Sequence, residues 1–116
     1  MRHRNKTKTL GRKKQPREMM LRNLAASIII YEKVKTTETK AKVVRSLVEK
    51  AITISKKGDL TARRRLIALL PQRMAIKKLI EVLGEKYKNR KGGYTRIIKL
   101  GARQGDGAEM VQIELV

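Results

Sequence analysis

The chain of 116 residues has no cysteine, phenylalanine or tryptophan, a single histidine, two prolines and three tyrosines, and its ten acidic residues face thirty Lys and Arg. Each shortage removes a class of chemistry. Without cysteine there is no disulfide, no thiolate zinc site and no cysteine nucleophile, which fits a reducing compartment. The histidine, His3, lies among cations. General acid–base work needs a positioned group with a tuned pKa, so His3 is read as a partly charged phosphate contact. Metal binding lacks a second His or any Cys. Ser27, Ser46 and Ser55 have no histidine partner and read as ordinary helix residues. The acidic residues are scattered rather than clustered as a metal-dependent nuclease requires. The expectation is therefore a protein that is not an enzyme and takes no cofactor, metal or small-molecule substrate.

Other absences narrow the class further. No run approaches the ~18 apolar residues of a membrane span. The apolar stretch from Met19 to Tyr31 is interrupted by Arg22 and Asn23 and precedes no small-residue cleavage pattern, which speaks against a cleaved signal. Single-strand binding platforms stack bases on aromatic rings, and Tyr31, Tyr87 and Tyr94 are widely spaced in the chain. Recognition of shape and phosphate backbone on structured RNA or duplex DNA is the better fit.

What is present is positive charge, +20 in net. A body this basic repels itself and gains by binding polyanions. The densest stretch is residues 1–17, with Arg2, Arg4, Lys6, Lys8, Arg12, Lys13, Lys14 and Arg17 and no acid. Such a run cannot pack into a core and is expected to order only when a polyanion neutralises it. It is read as a basic extension for a phosphate backbone, with residues 18–116 forming a single domain.

Within that domain, Pro16 marks a first helical turn with Glu18 near its positive end. Leu21, Leu24, Ala25 and Ile28 form a helical stripe that should weaken at the β-branched run Ile28–Tyr31. Residues 31–36 read as a short strand with Lys33 and Lys35 on one face and Val34 on the other. Thr36 or Thr37 caps a second helix, whose stripe is Ala41, Val44, Leu47, Val48, Ala51 and Ile54, with Gly58 as its stop. Asp59 or Thr61 caps a short helix to about Leu70. Pro71 is expected to open a further helix that Gly84 closes. Two strands follow, Tyr94–Leu100 and Met110–Val116, joined by a glycine-containing turn. The chain's plan is helix, strand, three helices, two strands: an α+β fold of two layers, with helices on one face of a small three-stranded sheet.

Two glycine-bearing segments bear on binding. Gly101–Gly107 has no following helix and no Gly-Lys-Thr/Ser, so it reads as a hairpin loop rather than a nucleotide cradle. Arg90-Lys91-Gly92-Gly93-Tyr94-Thr95-Arg96 could bring backbone close to phosphate or be a flexible linker; the residues leave both open. Arg63, Arg64 and Arg65 span about 200° of a helix, so at most two of them share one groove. The helices flanking Leu70-Pro71 raise a helix-turn-helix, but that turn lacks the usual glycine. From composition alone a nucleoid-type DNA-binding protein stays open beside an RNA-binding one.

The ordered set of motifs resembles one family. It comprises Met1-Arg2-His3-Arg4, Met20-Leu21-Arg22-Asn23-Leu24-Ala25-Ala26-Ser27, Lys35-Thr36-Thr37, Lys40-Ala41-Lys42, Arg45 and Val48-Glu49. It continues with Arg64-Arg65, Gly92-Gly93-Tyr94-Thr95-Arg96-Ile97, Arg103, Gly105-Asp106, Ala108, Met110 and Ile113-Glu114-Leu115. Together these are similar to the bacterial large-subunit ribosomal protein seventeen family across nearly the whole chain. The resemblance implies a cytoplasmic, ribosomal protein with the element order given above. It also implies that the chain binds large-subunit ribosomal RNA and lies beside other ribosomal proteins near the exit of the peptide tunnel. Glu85-Lys86-Tyr87 and Leu79-Ile80 depart from the family's usual Pro-Arg-aromatic and Leu-Phe patterns. The RNA-binding residues expected on this reading are Arg2, His3, Arg4, Lys6, Lys8, Arg12, Lys13, Lys14 and Arg17, with Arg22, Lys35, Lys40, Arg64, Arg65, Arg90, Lys91, Arg96 and Arg103.

Overall fold

A computed structural model describes residue 10 and residues 13–116. The expected contacts Arg2, His3, Arg4, Lys6, Lys8 and Arg12 lie outside the described residues. The elements are α1 (Lys14–Tyr31), β1 (Lys33–Thr37), α2 (Glu38–Ser55), α3 (Leu60–Leu69), α4 (Arg73–Lys78), a π-helical segment (Leu79–Leu83), α5 (Gly84–Lys86), β2 (Thr95–Ala102) and β3 (Glu109–Leu115). The segment from α4 to α5 is one continuous composite helix, so the α+β plan of four helical bodies and three strands holds.

α1 begins at Lys14, within the basic run, and its first intrahelical bond runs from the Arg17 amide to the Lys13 carbonyl at 2.9 Å. Pro16 falls in the first turn, where a missing N–H costs nothing. The helix does not weaken at Ile28 but continues to Tyr31. Ala25, Ala26, Ile28 and Ile29 are fully buried. Burying an Ile is worth about 1.5–3 kcal/mol, more than the ~0.7 kcal/mol at most that β-branching costs a helix. No residue of α1 before Ala25 is fully buried; Leu21 and Leu24 pack at the edge of the core, and Lys14 at the start of the helix is exposed.

A one-residue bend separates α1 from β1. Glu32 adopts a left-handed conformation (φ 66°), its amide bonds to the Ile28 carbonyl at 2.8 Å, and its carbonyl accepts from Leu115 at 2.8 Å. Its carboxylate lies 3.6 Å from Lys78 and 3.8 Å from Lys86 on the composite helix. Three elements are thereby tied at one residue.

The sheet is antiparallel with order β1-β3-β2. Val34 and Ile97 both pair with Ile113, and with Val111 and Leu115 they turn toward the helices, where Val111, Ile113 and Leu115 are buried. The alternate residues form an open face: Lys33 and Arg96 flank Glu114, and Lys35 and Ile98 flank Gln112. A bulge between Lys99 and Gly101 shifts the β2 register.

α2 carries the expected stripe, with Ala41, Val44, Val48, Ala51 and Ile54 buried. Thr37 occupies its N-cap position, but the hydroxyl makes no capping bond. Gly58 follows α2 with φ 63°, and Asp59 caps α3 by accepting the Ala62 amide at 2.7 Å.

Two expectations about the next helix are corrected. Pro71 does not open it: Gln72 is the N-cap and Pro71 lies in the bend before it. Gly84 does not close it. The residue is helical (φ −57°, ψ −42°), and its amide bonds to the Leu79 carbonyl in the five-residue spacing of a π-helix. A Cβ there would sit 2.8 Å from the Ser55 carbonyl oxygen at the end of α2. The glycine permits a close helix–helix approach rather than a stop.

Candidate nucleic-acid interface

Only five cations lie within 4 Å of a carboxylate among the described residues: Lys42, Lys78, Lys86, Arg96 and Arg103. The rest have no carboxylate partner, though Lys56 is occupied by neutral oxygens, and their placement follows from the elements that carry them.

Outside the buried stripe of Ala41, Val44, Val48 and Ala51, α2 carries Lys42 and Arg45 toward one flank and Lys50 toward the other, and Lys57 follows in the turn after the helix; all four are exposed. Arg45, Lys50 and Lys57 are absent from the contacts expected from sequence, although Arg45 and Lys50 could be read there: they fall in the gaps of the apolar period. Lys42 is the one member held by an acid, Glu38 at 3.0 Å. That hydrogen bond and charge hold the Glu38 carboxyl below its ordinary range.

α3 divides its three arginines. Arg65 and Lys50 line one shallow depression between α2 and α3, together with Ile54, Ala68 and Leu69. Arg63 lines a different groove, between α3 and α4. Arg64 is exposed.

The connector ending at β2 is held rather than loose. Lys56, at the C-terminal end of α2, donates to the Arg90 carbonyl at 2.5 Å and to the Tyr94 hydroxyl at 3.1 Å. The Tyr94 hydroxyl donates to the same carbonyl at 3.2 Å, and the Arg90 guanidinium reaches the Gly93 carbonyl at 3.2 Å. Glu49 of α2 accepts the Thr95 amide at 3.2 Å and the Thr95 hydroxyl at 3.0 Å. Gly92 and Gly93, at φ 152° and 62°, supply conformations that side-chain-bearing residues rarely adopt. Of the two readings left open by the sequence, the free linker is therefore not what the structure shows. Exposed Arg90 and Lys91 are brought beside the C-terminal end of α2.

The remaining expected residues are dispersed. Lys13 and Lys14 are exposed and Arg17 half-buried at the start of α1, where the first turn contains no acid. Cations at that end oppose the helix dipole, so an anion there is doubly favoured. Arg22 and Lys40 are half-buried on α1 and α2. Lys35 and Arg96 lie on the open sheet face, on the far side of the sheet from α2. Arg96 donates to Glu114 at 2.7 Å. That hydrogen bond, aided by Gln112 and the nearby Lys33 charge, keeps the Glu114 carboxyl below its ordinary range. Arg103 is engaged by Asp106 through both carboxylate oxygens, one contact being 2.9 Å. The Asp106 carboxyl is held far below the carboxylate range as a result, and the Arg103 guanidinium above its own.

The aromatic residues form no stacking platform. Tyr87 and Tyr94 are buried against each other with ring centroids 5.1 Å apart. Among the described residues no group of three His, Cys, Asp or Glu is placed to hold a metal ion. No helix among them is long and apolar enough to cross a membrane. The arrangement is suited to neutralising a folded, phosphate-rich surface from several sides.

Comparison with known proteins gives the same direction. The profile of a family described as "Ribosomal protein L17" matches residues 20–116. The "Large ribosomal subunit protein bL17" of Thermoanaerobacter sp. strain X514 is 52% identical over 107 residues, covering 92% of this chain and 96% of that protein. The protein of the same description from Clostridium botulinum strain Hall is 50% identical over 107 residues, covering 92% of this chain and 95% of its own.

Proposed function

This chain belongs to the ribosomal protein L17 family, and from that premise we propose that it binds large-subunit ribosomal RNA mainly through phosphate contacts. Its role is that of a structural constituent of the large ribosomal subunit, in the cytoplasm and in support of translation. The observation that carries the RNA reading is the set of cations without carboxylate partners on α2, α3 and the connector. Lys50 and Arg65 share one depression between α2 and α3, the connector carrying Arg90 and Lys91 is held to the C-terminal end of α2 through Lys56, and Arg45 and Lys57 add exposed charge on α2 and the turn after it.

Each phosphate met by such a cation releases condensed counterions, which favours binding and makes it salt-sensitive. The apolar body supplies rigidity, so that the cations are held where RNA helices converge. Residues 1–17 act as a basic extension that enters the RNA, delivering Arg2, His3, Arg4, Lys6, Lys8, Arg12, Lys13, Lys14 and Arg17. Arg22, Lys35, Lys40, Arg64 and Arg96 add contacts around the domain of residues 18–116. Arg103 contributes least, because Asp106 already occupies it. Family likeness supports a position beside other ribosomal proteins near the tunnel exit.

Sedimentation of a cell lysate through a sucrose gradient, in moderate and then high salt, tests this. Stoichiometric migration with large subunits that survives the salt wash is expected. A position at the top of the gradient, or equal affinity for duplex DNA and folded ribosomal RNA at one salt concentration, overturns it.

A further inference from the structure

The most exposed aliphatic side chains of the body gather on α3 and the composite helix. Leu60 and Ile67 on α3 are 62% and 58% exposed, and Met74 and Val82 on the composite helix are 70% and 51% exposed. Leu60 and Ile67 are two turns apart and so share one side of α3. Between the two helices runs a groove of about 660 Å³. Ile67, Leu70, Pro71 and Ile76 give it an apolar lining, while Arg63, Arg73 and Lys77 line it with charge. Glu81 is the only acid in that lining, and none of the three cations has a carboxylate within 4 Å among the described residues.

We propose that this groove seats a segment of a neighbouring protein in which apolar side chains are flanked by Asp or Glu. The inference rests on the placement of the chain in the large subunit, which supplies the neighbour. Phosphates satisfy the cations but do not themselves cover the aliphatic Ile67 side chain, and the groove has no aromatic ring for a base to stack on. A second copy of this chain brings Arg63, Arg73 and Lys77 against their own equivalents in a molecule of charge +20, which is repulsive. An acidic and apolar segment answers both features: its carboxylates meet the three cations and its side chains cover the apolar lining.

Photocrosslinking in assembled subunits tests the proposal. Ile67→p-benzoylphenylalanine and Met74→p-benzoylphenylalanine, introduced one at a time, place the probe on exposed positions. Subunits are purified by sedimentation and the linked peptide or nucleotide is identified by mass spectrometry. Crosslinks from both positions to a protein segment with adjacent Asp or Glu are expected. Crosslinks to ribosomal RNA, crosslinks to a second copy, or none from either position overturn the proposal. Arg45→p-benzoylphenylalanine on α2 reports the RNA reading separately through its own crosslink to ribosomal RNA. Adding Arg73→Glu and Lys77→Glu to the Ile67 variant should cut the protein crosslink roughly threefold to tenfold, whereas the same two changes added to the Arg45 variant should leave its ribosomal RNA crosslink unchanged. An unchanged protein crosslink would remove the charge complementarity on which the choice of partner depends.

Discussion

Gly84 of the composite helix and the carbonyl of Ser55 approach so closely that a Cβ on the glycine would stand 2.8 Å from the oxygen. The same Cβ would stand 3.2 Å from the Leu79 carbonyl, so relief by a small shift in one direction is blocked in the other. Gly84→Ala should therefore destabilise the protein by about 1–3 kcal/mol, as overpacking does, despite the ~1 kcal/mol that alanine gains over glycine inside a helix. Urea denaturation measures the difference. A variant more stable than the parent would show that α2 and the composite helix are free to separate.

The Tyr94 hydroxyl links the connector to α2. Tyr94→Phe keeps the ring packed on Tyr87 and removes the polar contacts of the hydroxyl to Lys56, the Arg90 carbonyl and the Thr53 hydroxyl. A loss of about 1 kcal/mol is expected, with faster amide hydrogen exchange concentrated between Arg90 and Thr95. Exchange that rises evenly across the sheet would mean that the hydroxyl stabilises the whole body rather than the connector.

Salt dependence separates free cations from occupied ones. Lys50→Ala and Arg65→Ala should each flatten the logarithmic salt slope of binding to large-subunit ribosomal RNA by about 0.7–0.9. Arg103→Ala should change it by less than half as much, because that guanidinium is already engaged by Asp106. Filter binding over a range of salt concentrations gives all three slopes. Equal slopes for the three variants would dismiss the distinction.

Acid titration reports the open sheet face. Glu114 has an ordinary value of 4.5 that is lowered in the fold, chiefly by the Arg96 hydrogen bond. A lowered carboxyl stabilises the fold above its unfolded pKa, and that contribution is lost as pH falls through the folded value. Arg96→Met should move the Glu114 titration up toward 4.5, observed by carboxyl carbon NMR. Gln112 and Lys33 remain to hold it slightly below. A titration that does not move would assign the effect to those two instead.

Much of the architecture was readable in advance because it follows from local rules. The β3 alternation, the α2 stripe, the Asp59 cap and the helices-on-one-face plan each depend on a few neighbouring residues. The corrected features depend on distant ones. Nothing near Gly84 indicates that the Ser55 carbonyl lies against it, so the glycine resembles a helix stop. The run Ile28–Tyr31 favours a strand until the core it enters is known. The cations followed the same division: the runs of adjacent ones were evident, whereas Arg45 and Lys50 are seen to lie outside the core only when their positions are laid over the apolar period of α2. Whether Arg103 is available could not be read at all, since Asp106 reaches it only after the hairpin closes.

The left-handed bend at Glu32 sets the direction of a long lever. An 18-residue helix extends about 27 Å, with Lys14 at its far tip. A tilt of ~10° at the bend would displace that tip by ~5 Å, more than the ~3 Å span of a charge-assisted hydrogen bond. The aim of the cations at the tip is thus set by the pivot, where the Leu115 amide and the ammonium groups of Lys78 and Lys86 brace Glu32, together with the seating of Ala25, Ala26, Ile28 and Ile29 in the core. Lys78 and Lys86, at the base of the helix, thereby share in setting the angle at which Lys13 and Lys14 are presented.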